Sequence, residues 1–326
     1  MPQHPLDELL EILDQQPPIE PADIAGYQVQ RVSGGSNNLL YRATGDGGDF
    51  AIKFTLNDGR DRAGREYHAL IVLFDYGLDV AARPVLLERD RYSRPLVVQT
   101  WIPGEIHDYP PQTEADWLRL LRYLNIIHQI TPQQASLPLQ PAIVSPASPD
   151  ECRRIVQEQV NRIPEHERPA VLNQVLQRFE NLPVPAWDTP QIRLIRSDAN
   201  NSNFVWTPDT LHSVDWEYSG WGDPAFEIVD LVMHPAYLSL TSEQRAWVLM
   251  TYCELAREYH SDNTLEQRMQ VYSQTMAAWW VARFCRYLYE IPRGLDPRLI
   301  ERAPDAQATG EARLAIYLER AAQLLG

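Results

Sequence analysis

The segments LIRSDANNSNFVW (residues 194–206) and SVDWEYSGWGDPAFEIVDL (residues 213–231) decide the fold of this 326-residue chain. Asp198 and Asn203 are spaced Asp-x-x-x-x-Asn between two strand-like runs, so both can face one volume across a tight loop. Asp215 follows twelve residues after Asn203. Two acids and an amide oxygen suit Mg²⁺, which prefers oxygen ligands and takes few of them from protein. Each residue taken singly is also an ordinary loop former, and phosphoryl transfer is indicated only when they are taken in order with the glycine-rich segment, the lysine and the helix glutamate described below.

The segment DFAIKFTL (residues 49–56) contains Lys53, the only lysine among 29 basic residues. Lysine is a compact point charge whereas arginine is a planar fork, so a site that accepts only lysine would explain its retention. Glu66 lies beside the apolar face of a helix predicted over residues 58–76, where an unpaired charge is costly. We predict that Glu66 orients Lys53, whose ammonium neutralises nucleotide phosphates. The alternative is a solvent-facing strand lysine.

Upstream, VSGGSNN (residues 32–38) lies between two strand-like runs. Gly34 and Gly35 let the backbone approach a ligand closely, and clustered N–H groups favour phosphate oxygens. Taken alone, the segment is more often a simple hairpin turn.

Periodicity divides the chain near residue 102. Residues 1–102 contain one short amphipathic helix, five strand-like runs separated by Gly, Asn and Asp, and the inserted 58–76 helix. Pro103-Gly104 breaks this pattern, and residues 103–326 are mainly helical, with Thr113 as a predicted N-cap. We therefore predict an α+β chain of two lobes. The family resemblance described below implies that the N-terminal lobe binds nucleotide and that the helical C-terminal lobe carries the catalytic loop, metal ligands and acceptor site.

The composition limits the classes of molecule that the chain is expected to bind and indicates its cellular environment. The net charge of -15 and pI near 5.0 argue against nucleic acid and anionic membranes, and favour a cationic small molecule. The three cysteines are too far apart for a disulfide framework or a metal site, so we expect buried thiols in a reducing cytoplasm. The N-terminus lacks the basic start of an export signal, and no apolar run has membrane-spanning length.

These motifs together resemble the aminoglycoside phosphotransferase and choline kinase family, small-molecule kinases with a bilobal protein-kinase-like fold. The resemblance spans nearly the whole chain, from RVSGGSNNLLYRA (residues 31–43) and FAIKF (residues 50–54) to the two segments quoted first. It implies transfer of the γ-phosphate of ATP, or of GTP, to a hydroxyl of a small amine-bearing acceptor such as an aminoglycoside or a choline-like metabolite.

The resemblance also implies residue roles. Asp198 would be the catalytic base, and Asn203 and Asp215 would be the Mg²⁺ ligands. Lys53 would contact phosphate, with Glu66 as its orienter. The remaining nucleotide contacts would come from two places: a hinge at Gln99 to Trp101 that meets adenine through backbone groups, and the phosphate cover Gly34, Gly35 and Ser36.

One departure concerns the catalytic loop. Where the family usually has His-Gly before the aspartate, this chain has Arg196-Ser197. A guanidinium beside Asp198 can pair with it and weaken it as a base. A catalytically impaired nucleotide-binding module of the same fold is therefore the alternative. A protein kinase is a distant third hypothesis, because no activation segment separates Asp215 from the sequence Gly222-Asp223-Pro224, which is called the GDP motif below.

For the acceptor, the segment TMAAWWVARFCRYLYE (residues 275–290) offers Trp279, Trp280 and Tyr287 as an aromatic wall against an ammonium group. Acids at Glu217, Asp223, Glu105 and Asp108 would add Coulomb attraction. The alternative is that these aromatic residues form the core and flank of one helix. The sequence does not identify the acceptor or the oligomeric state.

Overall fold

A computed structural model of the chain describes residues 5–32, 38–183, 185, 187, 190–259, 262–296 and 306–326. Its contacts divide the chain into two compact units. The first unit comprises Met1–His107, Pro132–Pro141 and Ser202–Gly220, and the second comprises Asp108–Thr131, Ala142–Asn201 and Trp221–Gly326. The boundary between lobes at residue 102 stays a prediction.

The first unit contains a six-stranded antiparallel sheet in the order β1-β2-β3-β4-β6-β5. Its strands are β1 (Ala22–Ile24), β2 (Tyr27–Val32), β3 (Leu39–Gly45), β4 (Gly48–Phe54), β5 (Pro84–Glu88) and β6 (Leu96–Thr100). Five of these strands lie on the predicted runs, whereas β1 was not predicted. It joins β2 through Ala25 and Gly26, both with positive φ, and a three-residue strand carries too little periodicity to detect.

Helices cover the two faces of this sheet. Helix α1 (Asp7–Gln15) packs its leucines against Tyr41, Ile52 and neighbouring strand residues. Side chains alternate along a strand, so Lys53 points to the opposite face from Ile52, where α2 (Arg62–Asp75) contacts β5 and β6. Three short strands form a second antiparallel sheet in the same unit: β7 (Glu105–Ile106), β9 (Phe204–Trp206) and β10 (Leu211–Ser213).

The second unit is mainly helical, which confirms the predicted α+β class. Its helices are α3 (Glu114–Ile127), α4 (Pro149–Val160), α5 (Ala170–Glu180), α6 (Pro224–Met233), α7 (Ser242–Arg257), α8 (Leu265–Glu290) and α9 (Ala306–Leu325). The long α8 packs against α4, α5, α6, α7 and α9. Thr113 caps α3 as predicted, because its Oγ1 accepts the Asp116 N–H at 3.2 Å. A short strand, β8 (Arg193–Ile195), leads into the Asp198 loop and pairs with β11 (Gly220–Gly222).

Two further findings concern the predicted environment of the chain. All three cysteines are buried and free, as predicted. Among the helices that the structure describes, none combines the length and the apolar character that crossing a bilayer requires.

Candidate active site

Lys53 lies at the centre of a buried cluster of carboxylates in the first unit. Its side chain leaves β4 on the α2 face and is only 5% exposed. The Lys53 Nζ donates to Glu66 Oε2 at 2.7 Å and to Asp215 Oδ1, and lies 3.2 Å from Glu217 Oε2. The pairing expected between Lys53 and Glu66 is therefore present, and the alternative of a solvent-facing lysine is wrong.

The electrostatics of this cluster are strongly coupled. Burial alone would lower the pKa of Lys53, but Asp215, Glu66 and Glu217 outweigh it and hold that pKa well above its usual range. Burial raises the pKa of Glu66 to about 7, against the opposing field of Lys53. The second carboxylate oxygen of Glu66 has no hydrogen-bond partner among the described residues. The ammonium is thus permanently charged, and its field opposes the protonation of Glu66 that burial favours.

Glu217 is a member of this cluster that the sequence did not identify. Its carboxylate is 3% exposed and accepts hydrogen bonds from Arg62 Nη1 and, at 2.8 Å, from Asn38 Nδ2. Arg62 also binds Asp58, so Glu217 joins the start of α2 to the residue that follows the glycine-rich segment. The prediction that Glu217 attracts the acceptor is wrong, because its oxygens are already used. Its position two residues after Asp215 was the available signal.

Asn203 and Asp215 lie next to each other in the first unit. The Asn203 carbonyl accepts the N–H of Val214 at 2.9 Å, which holds the two predicted metal ligands on adjacent segments. Asp215 has a left-handed backbone, with φ of 63°, and its side chain is about one-third exposed. Asn203 is 6% exposed, and its amide Nδ2 has no partner among the described residues. Turning the amide over exchanges N for O, so this pair offers the hard oxygen donors that Mg²⁺ requires.

Asp198 lies on a tightly braced loop in the second unit. Ser197, at the usual glycine position, has φ of 56°, and its Oγ donates to the Val144 carbonyl at 2.8 Å. Arg196 is 1% exposed, and its Nη1 donates to the backbone carbonyl of Asp198 at 3.3 Å. The Asp198 Oδ1 accepts the Asn200 N–H at 3.2 Å. The two residues that depart from the family pattern therefore brace the backbone around Asp198.

Glu227 anchors this loop from α6. Its Oε1 accepts the backbone N–H groups of Arg196 at 2.7 Å and Ser197 at 2.9 Å. Its Oε2 lies 2.6 Å from His128 Nε2, and the other ring nitrogen of His128 lies 2.6 Å from the Tyr252 hydroxyl. Burial would raise the pKa of Glu227, but the His128 bond and nearby positive groups lower it. In the sequence, Glu227 is the first acid after Gly222-Asp223-Pro224, and we assigned it no role from the sequence alone.

Asp223 in the GDP motif is structural. It is fully buried, accepts two hydrogen bonds from Arg268 and one from Tyr272, and caps α6 through the Ala225 N–H. The prediction that Asp223 attracts the acceptor is therefore wrong. A cavity of about 450 Å³ borders this network, and Asp262 and Arg268 in its wall are paired with each other. None of the predicted site residues lines that cavity.

The predicted hinge has little free donor capacity. The Trp101 N–H donates to the Asp49 carbonyl at 2.8 Å, and the Thr100 N–H donates to the Arg83 carbonyl at 3.0 Å. Gln99 is 4% exposed within β6. By contrast, the Ile102 N–H makes no hydrogen bond in the described part of the chain. It is therefore the backbone donor next to the predicted hinge that could bind the adenine or guanine ring of a nucleotide. The predicted phosphate cover, Gly34, Gly35 and Ser36, lies outside the described residues.

The predicted aromatic wall on α8 already holds a cation of the chain itself. The Arg283 guanidinium lies 4.7 Å from the ring centre of Trp279, 5.5 Å from that of Trp280 and 5.2 Å from that of Tyr287. Trp279 and Trp280 are 7% and 5% exposed. The alternative of a helix core and flank is therefore correct for the two tryptophans, and an ammonium ligand would have to displace Arg283.

Comparison with protein families gives one match over most of the chain. Residues 28–266 match the model of the phosphotransferase enzyme family. Among curated proteins, Protein LicA of Haemophilus influenzae is 33% identical over 89 residues, which is 26% of this chain and 32% of that protein. The chain thus matches about a third of the length of this relative.

Among solved structures, a protein from Ralstonia eutropha provisionally assigned as an aminoglycoside phosphotransferase has a TM-score of 0.67 and 14% identity, over 97% of both chains. Spectinomycin phosphotransferase, solved with ADP and spectinomycin, has a TM-score of 0.60 and 16% identity, also over 97% of both chains. These matches confirm the predicted protein-kinase-like α+β fold and the predicted family resemblance.

Proposed function

The chain belongs to the phosphotransferase enzyme family, and we propose that it is an O-phosphotransferase that transfers the γ-phosphate of ATP, or of GTP, to a hydroxyl group of a small molecule. The observation that carries this proposal is the Lys53 cluster. A permanently charged ammonium is held by Glu66, Asp215 and Glu217, which is the arrangement that phosphoryl transfer uses to position and neutralise phosphates.

In this proposal Lys53 contacts two phosphate groups and Glu66 fixes its direction. Arginine would not substitute, because its planar fork requires a wider slot than a 5% exposed ammonium occupies. The loop with Gly34, Gly35 and Ser36 would cover the phosphates. The Ile102 N–H replaces the occupied Trp101 N–H as the proposed backbone donor to the base.

Asn203 and Asp215 would hold Mg²⁺. When bound, the ion neutralises charge that develops on the phosphate oxygens. The donor set fits this role, since a part-exposed carboxylate and a buried amide without a partner for its Nδ2 are brought together by the Asn203 to Val214 backbone bond. Lys53 already contacts Asp215, so ammonium and metal ligand act on the same phosphates.

Asp198 would accept the proton of the acceptor hydroxyl. The bracing of its loop by Glu227, Arg196 and Ser197 supports this role, because a general base contributes only when it is held in position. We propose an amine-bearing acceptor. Burial raises the pKa of Asp230 to about 7, and the positive charge of a bound amine would favour its carboxylate form. The three free thiols suit a reducing cytoplasm as the place of action.

The test is release of ADP that depends on an acceptor, with aminoglycosides, choline, ethanolamine, homoserine and methylthioribose as probes. We expect Asp198→Asn to lower kcat by about a thousandfold, because a positioned base and the charge of its carboxylate are both lost. Stabilisation by Mg-ATP in thermal unfolding should persist in this variant. The matched control is Asp209→Asn in an exposed turn, which should leave turnover unchanged.

Full turnover in Asp198→Asn would contradict the assigned base. Stabilisation by Mg-ATP without turnover of any probe would favour the nucleotide-binding module. If Mg-ATP and Mg-GTP both fail to stabilise the protein, the proposed function is wrong.

A further inference from the structure

Arg283 is a cation that contacts aromatic rings and forms no ion pair with a carboxylate of the described residues. It lies on α8, is half-buried, and its guanidinium rests on three aromatic rings. Within the described part of the chain it makes no hydrogen bond and no ion pair, and its Nε is buried without an acceptor. The chain has 44 acids and 29 bases, so a partly buried arginine that pairs with none of the acids in the described ranges calls for a functional explanation.

A second arginine lies close by on α9. Arg313 is one turn before Tyr317 on the same helix face, and Tyr317 stacks on Trp280 with ring centres 5.4 Å apart. Arg313 also makes no hydrogen bond and no ion pair among the described residues. Two unpaired guanidinium groups thus lie on the two helix faces that meet at Trp280.

Uncharged donors complete the cluster. His234, at the end of α6, lies edge-on to Trp280 at 5.7 Å. Its Nδ1 accepts the Ala236 N–H at 3.2 Å, so its proton is on Nε2. Burial, Arg283 and Arg313 lower the pKa of His234 to about 3, so the ring stays neutral. The Trp280 Nε1–H is buried without an acceptor as well.

The cluster lies beside the loop that carries the proposed base, because the side-chain amide of Asn201 in that loop donates to the Ala236 carbonyl, two residues after His234, at 3.1 Å. Asp230 is one turn before His234 on α6, and both Asp198 and Arg283 act on it through their electric fields. Asp230 makes no hydrogen bond among the described residues. The groups of this cluster are therefore mostly hydrogen-bond donors, and Asp230 is the one acid named among them. Asp230 is also within the electric field of Asp198.

We propose that Arg283 and Arg313 bind a carboxylate of the phosphate acceptor while its hydroxyl is presented to Asp198. This inference rests on the proposed function and specifies its substrate class as hydroxy acids. An amine on the acceptor would then face Asp230, which makes amino acids with a side-chain hydroxyl the best-fitting members. Arginine suits the role because its fork binds a carboxylate through two parallel hydrogen bonds.

The experiment compares acceptors that differ only by a carboxylate: homoserine with aminopropanol, serine with ethanolamine, and glycerate with ethylene glycol. Binding is measured by calorimetry with Mg-ADP present, and turnover by ADP release. We expect the acid of each pair to bind more tightly, and Arg283→Gln and Arg313→Gln each to weaken the acid by about tenfold. The variants should leave the binding of the member without a carboxylate unchanged, and Arg283→Lys should recover part of the preference for acids.

The matched control is Arg154→Gln, which removes an exposed arginine of α4 paired with Glu158. It should not change the preference for acids. Equal binding of the acids and of their partners without a carboxylate, no binding of any acid, or a preference that survives both glutamine variants would overturn the inference. Stabilisation by Mg-ATP and turnover of an uncharged or cationic acceptor would in that case leave the proposed function intact.

Discussion

Charges are paired differently in two clusters of the molecule. One is the Lys53 cluster of the first unit, and the other is the Arg283 cluster of the second unit, which consists of Arg283, Arg313, His234, Trp280 and Asp230. Lys53 is surrounded by Glu66, Asp215 and Glu217, all within 3.2 Å of its ammonium. Arg283 has aromatic rings around it and no carboxylate bonded to it in the described residues. One cluster is neutralised from within, whereas in the other neither arginine forms an ion pair or a hydrogen bond with the residues that the structure describes.

This difference separates charges that stabilise the fold from charges that are available to bind a ligand. A buried ion that has all its partners is costly to break, because the remaining partner is left uncompensated. Asp230 in the second cluster is an acid whose charged form is disfavoured by burial and by nearby acids, so removing its charge is neutral or favourable. The two clusters should therefore respond to neutralising substitutions with opposite signs.

The largest effect is expected at Lys53. Lys53→Met should lower the free energy of unfolding by about 3 kcal/mol, because Glu66 and Glu217 stay buried without their cation. Urea unfolding at neutral pH measures this loss. Turnover should disappear in the same variant.

The double variant Lys53→Met with Glu66→Gln removes one of the stranded acids and should recover part of that stability. As a surface control, Arg154→Gln breaks an exposed ion pair and should cost less than about 1 kcal/mol. If Lys53→Met is as mild as this control, the Lys53 cluster contributes no more than a surface pair.

Removing the charge of Asp230 should stabilise the protein, whereas Lys53→Met should destabilise it. Burial, Asp198 and Glu227, opposed by Arg283, raise the pKa of Asp230 to about 7. A raised carboxyl pKa contributes stability that is present below about pH 4 and is lost as the pH rises to about 7. Asp230→Asn cannot ionise, so it should become more stable than the natural protein by about 2 kcal/mol as the pH goes from 4 to 8. This value is about half of the full linkage, because Asp230 is partly exposed.

Unfolding by urea across this pH range gives the difference directly. Loss of stability on protonation of His234 at low pH occurs in both proteins and cancels in the comparison. Asp209→Asn, at an exposed position, should track the natural protein at every pH. A constant difference between Asp230→Asn and the natural protein would show that Asp230 titrates normally.

Much of this fold could be predicted because local patterns agree with the final packing. The strand runs around Lys53 alternate as a sheet with two covered faces requires, and Thr113 begins its helix through a cap that depends on nearby residues alone. The strand Ala22–Ile24 was missed because its turn uses Ala25 where Asn, Asp or Gly is typical. Short elements defined by their partners leave little signal in their own sequence.

The candidate site was less predictable where a role depends on contacts distant in sequence. The pair of Lys53 and Glu66 followed from the cost of an unpaired buried acid. Glu217 and Glu227 are chemically alike in the sequence, yet one holds Arg62 and the other holds the backbone at Arg196. Only the fold decides which donors each acid meets. The aromatic wall failed for a local reason, since Arg283 lies within about one turn of all three aromatic residues on the same helix and covers them.

The smallest predicted effect separates backbone strain from side-chain bonding at Ser197. A left-handed φ of 56° is costly for any residue with a Cβ, and Ser197 offsets part of this cost by donating to the Val144 carbonyl. Ser197→Gly and Ser197→Ala both lose that hydrogen bond, but only alanine keeps the strain. We expect the glycine variant to be more stable than the alanine variant by about 1 kcal/mol in urea unfolding. Equal stabilities would mean that Ser197 adopts an ordinary φ in solution. Equal turnover in the two variants would then show that Glu227, which binds the backbone N–H of residue 197 in both, is sufficient to hold Asp198 in position.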